Sequence, residues 1–230
     1  MRLSVLIPVY NEEPTIDELL SAVLAVDVDK EVIVVDDCST DGTAARLAQW
    51  ADQVTLLCHP VNRGKGAAVR TALDASTGDA VIIQDADLEY DPQDYAVLMA
   101  PIEAGQAKVV YGARDLEGQK ALMRLGNQFM TTATNLLYGV RLQDVETCYK
   151  VLTREVVDRL DLDSEGFELE TELTAQIIRL GYEIVEVPIR YAPRYGEDKK
   201  LTPWDGIPTL WQLLRYRFRP MPTQPKGRDR

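Results

Sequence analysis

Histidine is nearly absent from this chain of 230 residues, which has one, His59, beside three cysteines and three phenylalanines. With no second histidine and no cysteine at ligand spacing, a zinc-finger-type metal site is excluded, and no Ser-His-Asp or Cys-His constellation assembles. His59 follows a strand and precedes Pro60, so it reads as a surface or loop residue. The cysteines Cys38, Cys58 and Cys148 are odd in number and far apart, the pattern of reduced, intracellular residues rather than a disulfide framework. No uninterrupted apolar stretch approaches the roughly 20 residues that a membrane span needs. The opening run from Met1 to Pro8 is too short for a signal peptide and reads as a strand. Together these absences predict a cytoplasmic protein, soluble or peripheral on the membrane. Basic residues are outnumbered, 25 against 37 acids, for a net charge of -12. Phosphate neutralisation needs a basic face, so nucleic acid is disfavoured as a partner. Missing too are a G-x-G-x-x-G after the first strand and a full phosphate-loop spacing, which disfavours a dinucleotide-binding or P-loop enzyme.

What is present is a globular balance, 46% hydrophobic and 27% charged, in a length that suits one domain. Short β-branched runs alternate with helix-period segments through the first half. Strands are predicted over 3–9, 31–37, 54–57 and 79–84. Helices start near Thr15, at Ala44 and after Gly64. Such alternation with short connections gives right-handed crossovers and a mostly parallel sheet with helices on both faces, an α/β fold. The second half predicts strands at 109–112, 147–152 and 183–189, with helices at 121–138 and 169–180. A further helix over 204–219 is interrupted near Pro208. Residues 1–200 are expected to form one domain, followed by a C-terminal amphipathic helix and tail over 201–230. Its Trp211, Leu213, Arg215 and Arg217 suit an interfacial helix and a core-packed one equally.

Ligands of parallel sheets bind beyond the carboxyl ends of the strands. Three predicted strand ends carry polar residues: Pro8 to Glu12, Asp36-Asp37 and Asp85-Ala86-Asp87. Two carboxylates one residue apart can approach a hard divalent cation together, with Glu89 as a third oxygen donor. Asp37 can accept hydrogen bonds from a ribose or base, or cap the next helix. Asn62-Arg63-Gly64-Lys65-Gly66 offers phosphate both backbone N–H groups and the Lys65 charge.

Four stretches carry a resemblance: Ser4 to Glu12, Val34 to Thr43, Gly64 to Arg70 and Gly78 to Asp87. In order and spacing they resemble family-2 glycosyltransferases. Tyr111 to Arg114, Asp144 to Lys150, Gly166 to Glu170 and Gly181 to Ile189 resemble the dolichyl-phosphate mannose synthase branch, which glycosylates polyprenyl phosphates. The resemblance implies a GT-A fold, a Mg²⁺ or Mn²⁺ requirement and inversion at the anomeric carbon. By position, Pro8, Tyr10, Glu12, Asp37 and Lys65 would line the donor pocket, and Asp85-Ala86-Asp87 would hold the diphosphate and the metal. Glu89 stands where this branch often has Gln. Arg114 would face the acceptor phosphate or the sugar, and Asp144 the acceptor. Arg124, Arg194 and Lys199 would steady an acceptor phosphate.

The expected reaction moves a sugar, with mannose from GDP-mannose leading, to a polyprenyl or dolichyl phosphate. A UDP-sugar with a soluble or carbohydrate hydroxyl acceptor is the alternative, and it would need Asp144 as general base. A nucleotidyltransferase would want a Gly-rich basic loop where Val9-Tyr10-Asn11-Glu12 stands. A non-catalytic nucleotide-sugar-binding module is disfavoured by the intact Asp85, Asp87 and Asp144.

Overall fold

The computed structural model describes residues 1–116, 119–166, 168–193 and 206–219. Along the chain run β1 (Leu3–Val9), α1 (Ile16–Ala25), β2 (Lys30–Asp36), α2 (Thr43–Leu47), β3 (Thr55–Cys58), α3 (Lys65–Ala75) and β4 (Ala80–Ile83). Then follow α4 (Tyr95–Glu103), β5 (Val109–Arg114), α5 (Ala121–Tyr138), β6 (Lys150–Thr153), α6 (Arg154–Val157), α7 (Leu169–Arg179), β7 (Val185–Ile189) and α8 (Gly206–Phe218).

The seven strands form one sheet in the order β3-β2-β1-β4-β6-β5-β7. β1 pairs in parallel with β2 and β4, β2 with β3, and β5 with β7. Only β6 runs against its neighbours, β4 and β5. The expected mostly parallel α/β sheet is therefore observed. Successive strand residues point to opposite faces, so a run such as Ala80-Val81-Ile82-Ile83, buried throughout, means that both faces of the sheet are covered. β1 and the last five residues of β2 are buried almost as completely. That is why these segments read as continuous β-branched runs rather than alternating ones.

Sequence periodicity missed α4, which follows a 3₁₀ turn at Pro92–Asp94 and carries Pro101 within it. Its Tyr95, Leu98, Met99 and Ile102 are buried, and the prolines hide the helical signal by reading as breakers. The short α6 was missed as well. The strand expected from Thr147 begins only at Lys150, because residues 147–149 stay outside the ladder.

Candidate functional site

Loops leaving β1, β2 and β4 meet at the carboxyl edge of the sheet, and hydrogen bonds tie them together. The Thr40 backbone N–H donates to Asn11 Oδ1 at 2.7 Å, and the Glu12 N–H donates to Thr43 Oγ1 at 2.9 Å. Thr15 Oγ1 donates to the Ala86 carbonyl at 2.7 Å, fixing the middle of the Asp-x-Asp turn to the first loop. Each loop also holds one non-glycine residue with a left-handed backbone: Asn11 at φ 53°, Cys38 at φ 64° and Leu88 at φ 62°. These are the only such residues among those described. Strain of this kind persists where the surroundings impose it, commonly at binding sites.

Asp37 is 2% exposed, and its carboxylate is fully occupied. Oδ1 lies 2.6 Å from His59 Nδ1, and the Arg63 and Gly64 N–H groups donate to the same carboxylate at 2.9 and 2.7 Å. In the structure these bonds organise the loop at 62–64 around Asp37. His59 lies on the loop after β3, as expected, but not at the surface. It is buried, and its Nε2 sits 2.9 Å from Thr71 Oγ1.

The loop before α3 uses several of its backbone N–H groups internally. The Arg63 and Gly64 amides go to Asp37, and those of Gly66 and Ala67 donate to the Glu165 carbonyl. No amide of these four is left for phosphate. What the loop contributes is Lys65, whose Nζ lies 2.7 Å from Asp85 Oδ1 and 3.2 Å from Glu170 Oε1. Burial pulls its pKa down, but Asp85, Cys148 and Glu170 outweigh it and hold the ammonium well above its ordinary value. Glu170 in turn meets Lys150 Nζ at 2.6 Å, and Lys150 has no exposed surface. Neither Glu170 nor Lys150 was predicted as a site residue. Both sit inside stretches that carried the resemblance, yet their pairing has no local signal.

Asp87 stands apart from this ion-pair chain. Burial first, then the charges of Asp85 and Glu89, push its pKa up to about 7, against smaller opposing effects of the Glu89 N–H and Lys65. Three carboxyl groups are thus crowded at the turn after β4. Their oxygen donors and mutual repulsion fit a hard divalent cation, which Asp85 and Asp87 would hold. Among the described residues no three acidic, histidine or cysteine side chains form a ready-made metal cluster. Glu89, expected as a third ligand, receives the Tyr191 hydroxyl on Oε2 at 2.7 Å.

Arg114 and Asp144 form a bidentate ion pair, Nε to Oδ2 at 2.6 Å and Nη2 to Oδ1 at 2.9 Å. Their side chains are 7% and 2% exposed. Arg114 Nη1 also donates to the Tyr90 hydroxyl at 3.2 Å, and the guanidinium lies 5.1 Å from the centre of the Tyr191 ring. Burial opposes the Arg114 charge, but Tyr90, Asp144 and Tyr191 hold its pKa well above the usual value. Both groups had been expected to face substrate. In the structure the two side chains face each other. Pro8 lies within β1, and Tyr10 is half-buried just beyond it. Glu12 is buried beneath the first loop. Arg124 is half-buried in the first turn of α5. Arg194 and Lys199 lie outside the described residues.

A model of the family described as "Glycosyl transferase family 2" matches residues 4–160. The low-salt glycan biosynthesis hexosyltransferase Agl6 of Haloferax volcanii is 30% identical over 224 residues, covering 93% of this chain and 52% of that relative. The chain thus spans about half the length of that protein. The polyprenol monophosphomannose synthase of Mycolicibacterium smegmatis is 30% identical over 212 residues, covering 84% of this chain and 78% of the relative. Among solved structures, glucosyl-3-phosphoglycerate synthase from Mycobacterium tuberculosis, in complex with Mn²⁺, UDP-glucose and phosphoglyceric acid, superposes with a TM-score of 0.73. It shares 26% identity and covers 95% of this chain and 80% of that one.

Proposed function

The chain belongs to glycosyl transferase family 2, and on that footing we propose that it moves a hexose, with inversion, from a nucleoside-diphosphate sugar to a polyprenyl phosphate. The observation that carries this reading is the crowding of Asp85, Asp87 and Glu89 where the loops of β1, β2 and β4 converge. Only a cation or a proton relieves it, and Lys65 is already shared between Asp85 and Glu170. A divalent ion held by Asp85 and Asp87 would offset the charge gathering on the leaving diphosphate. Mg²⁺ and Mn²⁺ both suit these oxygens.

The transfer forms a bond between an acceptor oxygen and the anomeric carbon. The carbon–oxygen bond to the diphosphate breaks, and its electron pair leaves with that group. In-line placement of the two oxygens is the protein's main contribution. A lipid phosphate is ionised near neutral pH and needs no base, which agrees with an Asp144 locked onto Arg114. Arg124, with Arg194 and Lys199, is proposed to steady that phosphate, while Tyr10 and Glu12 border the donor. Arg114 and Asp144 would act by positioning: through Tyr90 and Tyr191 they brace the turn that presents Glu89.

Mannose from GDP-mannose is the leading donor, supported by likeness to the mannose synthase. A second reading, UDP-glucose with a small soluble acceptor, is favoured by likeness to the phosphoglycerate-using enzyme. Calorimetry against GDP and UDP, with and without Mn²⁺, followed by turnover with polyprenyl phosphate or phosphoglycerate, separates them. Metal-dependent binding of one nucleotide and transfer to the lipid are expected. Metal-independent binding, or none, would sink the assignment, and transfer only to phosphoglycerate would favour the second reading.

A further inference from the structure

Glu89 is tied to the fold at its backbone and at its side chain. Its N–H donates to Asp87 Oδ1 at 3.1 Å, and its carbonyl receives the Ala192 N–H at 2.9 Å. The carboxylate is buried and receives the Tyr191 hydroxyl on Oε2 at 2.7 Å. Tyr90 and Tyr191 form an antiparallel bridge, and the Arg190 N–H donates to Asp94 Oδ2 at 2.7 Å. The segment that follows β7 is thus laid against the residues that follow the Asp-x-Asp turn.

The Tyr191 hydroxyl is itself aimed by other side chains. Asn127 Nδ2, on α5, donates to Gln119 Oε1 at 2.9 Å, and Gln119 Nε2 donates to the Tyr191 hydroxyl oxygen at 3.1 Å. That oxygen accepts from Gln119, and a carboxylate accepts without donating, so the phenolic proton is directed to Glu89. Every donor in the chain points the same way, from α5 toward the acids, and bonds ordered in this manner polarise one another. Burial first, then the Glu89 carboxylate, raise the Tyr191 pKa and keep that proton in place. The ring is held separately: the Arg114 guanidinium lies 5.1 Å from its centre, and the Tyr90 ring centre is 5.4 Å away. Loss of the hydroxyl alone would leave that packing intact.

We propose that the chain from Asn127 through Gln119 to Tyr191 fixes the Glu89 carboxylate as an oxygen donor to the divalent cation, with Tyr191 the positioning residue that sets the ion's affinity. It rests on the metal-dependent reading above, in which Asp85 and Asp87 hold the ion, and extends the site to three residues outside the acid turn. A carboxylate tied at one oxygen keeps its orientation, so coordination by the other costs less side-chain entropy. α5 thereby acts on the ion through a line of side chains rather than by touching it.

Electron paramagnetic resonance of free Mn²⁺, titrated with the purified chain without nucleotide, reads the ion's affinity directly. Tyr191→Phe keeps the ring and should weaken Mn²⁺ binding about ten- to a hundredfold, with its circular dichroism unchanged. Gln119→Leu removes the donor that aims the hydroxyl and should weaken binding about threefold or more. In a Glu89→Ala background Tyr191→Phe should make no further difference, because the carboxylate it acts through is gone. A merely structural role would lower the affinity equally in both backgrounds. Tyr191→Phe that binds Mn²⁺ as tightly as wild type, or that loses as much when Glu89 is already Ala, overturns the proposal. Should Tyr191→Phe fail to fold, Gln119→Leu with wild-type affinity overturns it as well. Wild-type protein that takes up no Mn²⁺ would instead sink the metal-dependent reading, and this inference with it.

Discussion

At the scale of the residue, Asp87 is where the site is least at ease. Its carboxyl moves from an ordinary 3.8 to about 7 in the folded chain. Between those values the folded protein keeps a proton that the unfolded chain has released. Stability of the metal-free protein should therefore fall as pH rises through that window and level off above it. Calorimetric melting across the window should show this slope, Asp87→Asn should flatten it, and Mn²⁺ should recover most of the loss near its upper end. The same variant should abolish sugar transfer. The Arg114–Asp144 pair makes a second prediction. Removing one partner leaves a buried charge unpaired, so Arg114→Ala should cost about 3–5 kcal/mol in urea unfolding. The double variant Arg114→Ala/Asp144→Ala should cost less than the sum of the singles, since it leaves neither charge behind. If Asp144→Asn kept full stability and lost only turnover, a direct role in proton transfer would be supported over a positioning one.

At the scale of the element, the site rests on a relay of packed segments. α7 buries Glu172 and Gln176, which bind the backbone of residues 161–164, and the same segment continues to the Glu165 carbonyl that receives the first amides of α3. That contact sets Lys65 beside Asp85. A Cβ on Gly66 would stand 2.3 Å from the Ser164 carbonyl oxygen, closer than backbone permits. Gly66→Ala should thus destabilise by about 1–3 kcal/mol and weaken nucleotide binding. Gly126, also helical, would meet nothing within 4 Å, so Gly126→Ala should stabilise by roughly 0.5–1 kcal/mol. Chemical denaturation of the two variants checks the contrast. Gly64, at φ 89°, lets the chain turn into α3 while both its own and the preceding amide reach Asp37. Periodicity located α3 and the acids of β4 correctly because those signals are local. It could not foresee that α7 supports them, because the link runs through a loop distant in sequence.

At the scale of the whole molecule, binding of a divalent cation and a nucleoside diphosphate should stabilise the fold by mass action, about 2.7 kcal/mol at a hundredfold excess over Kd. Thermal shift with Mn²⁺ and nucleotide together should exceed the sum of the separate shifts, and chelation should abolish the excess.

The chain's own pattern determined the parallel character of the sheet, the family and the positions of the acids at strand ends. Buried strands and their turns leave a trace in consecutive residues. Partnerships were decided only by the tertiary structure: His59 with Asp37, Lys65 with Asp85 and Glu170, and Arg114 with Asp144. A charged side chain does not encode its distant partner. The partner follows from which strand lies beside which, and here the antiparallel β6, set between β4 and β5, brings Lys150 and the segment before it toward the acids of β4.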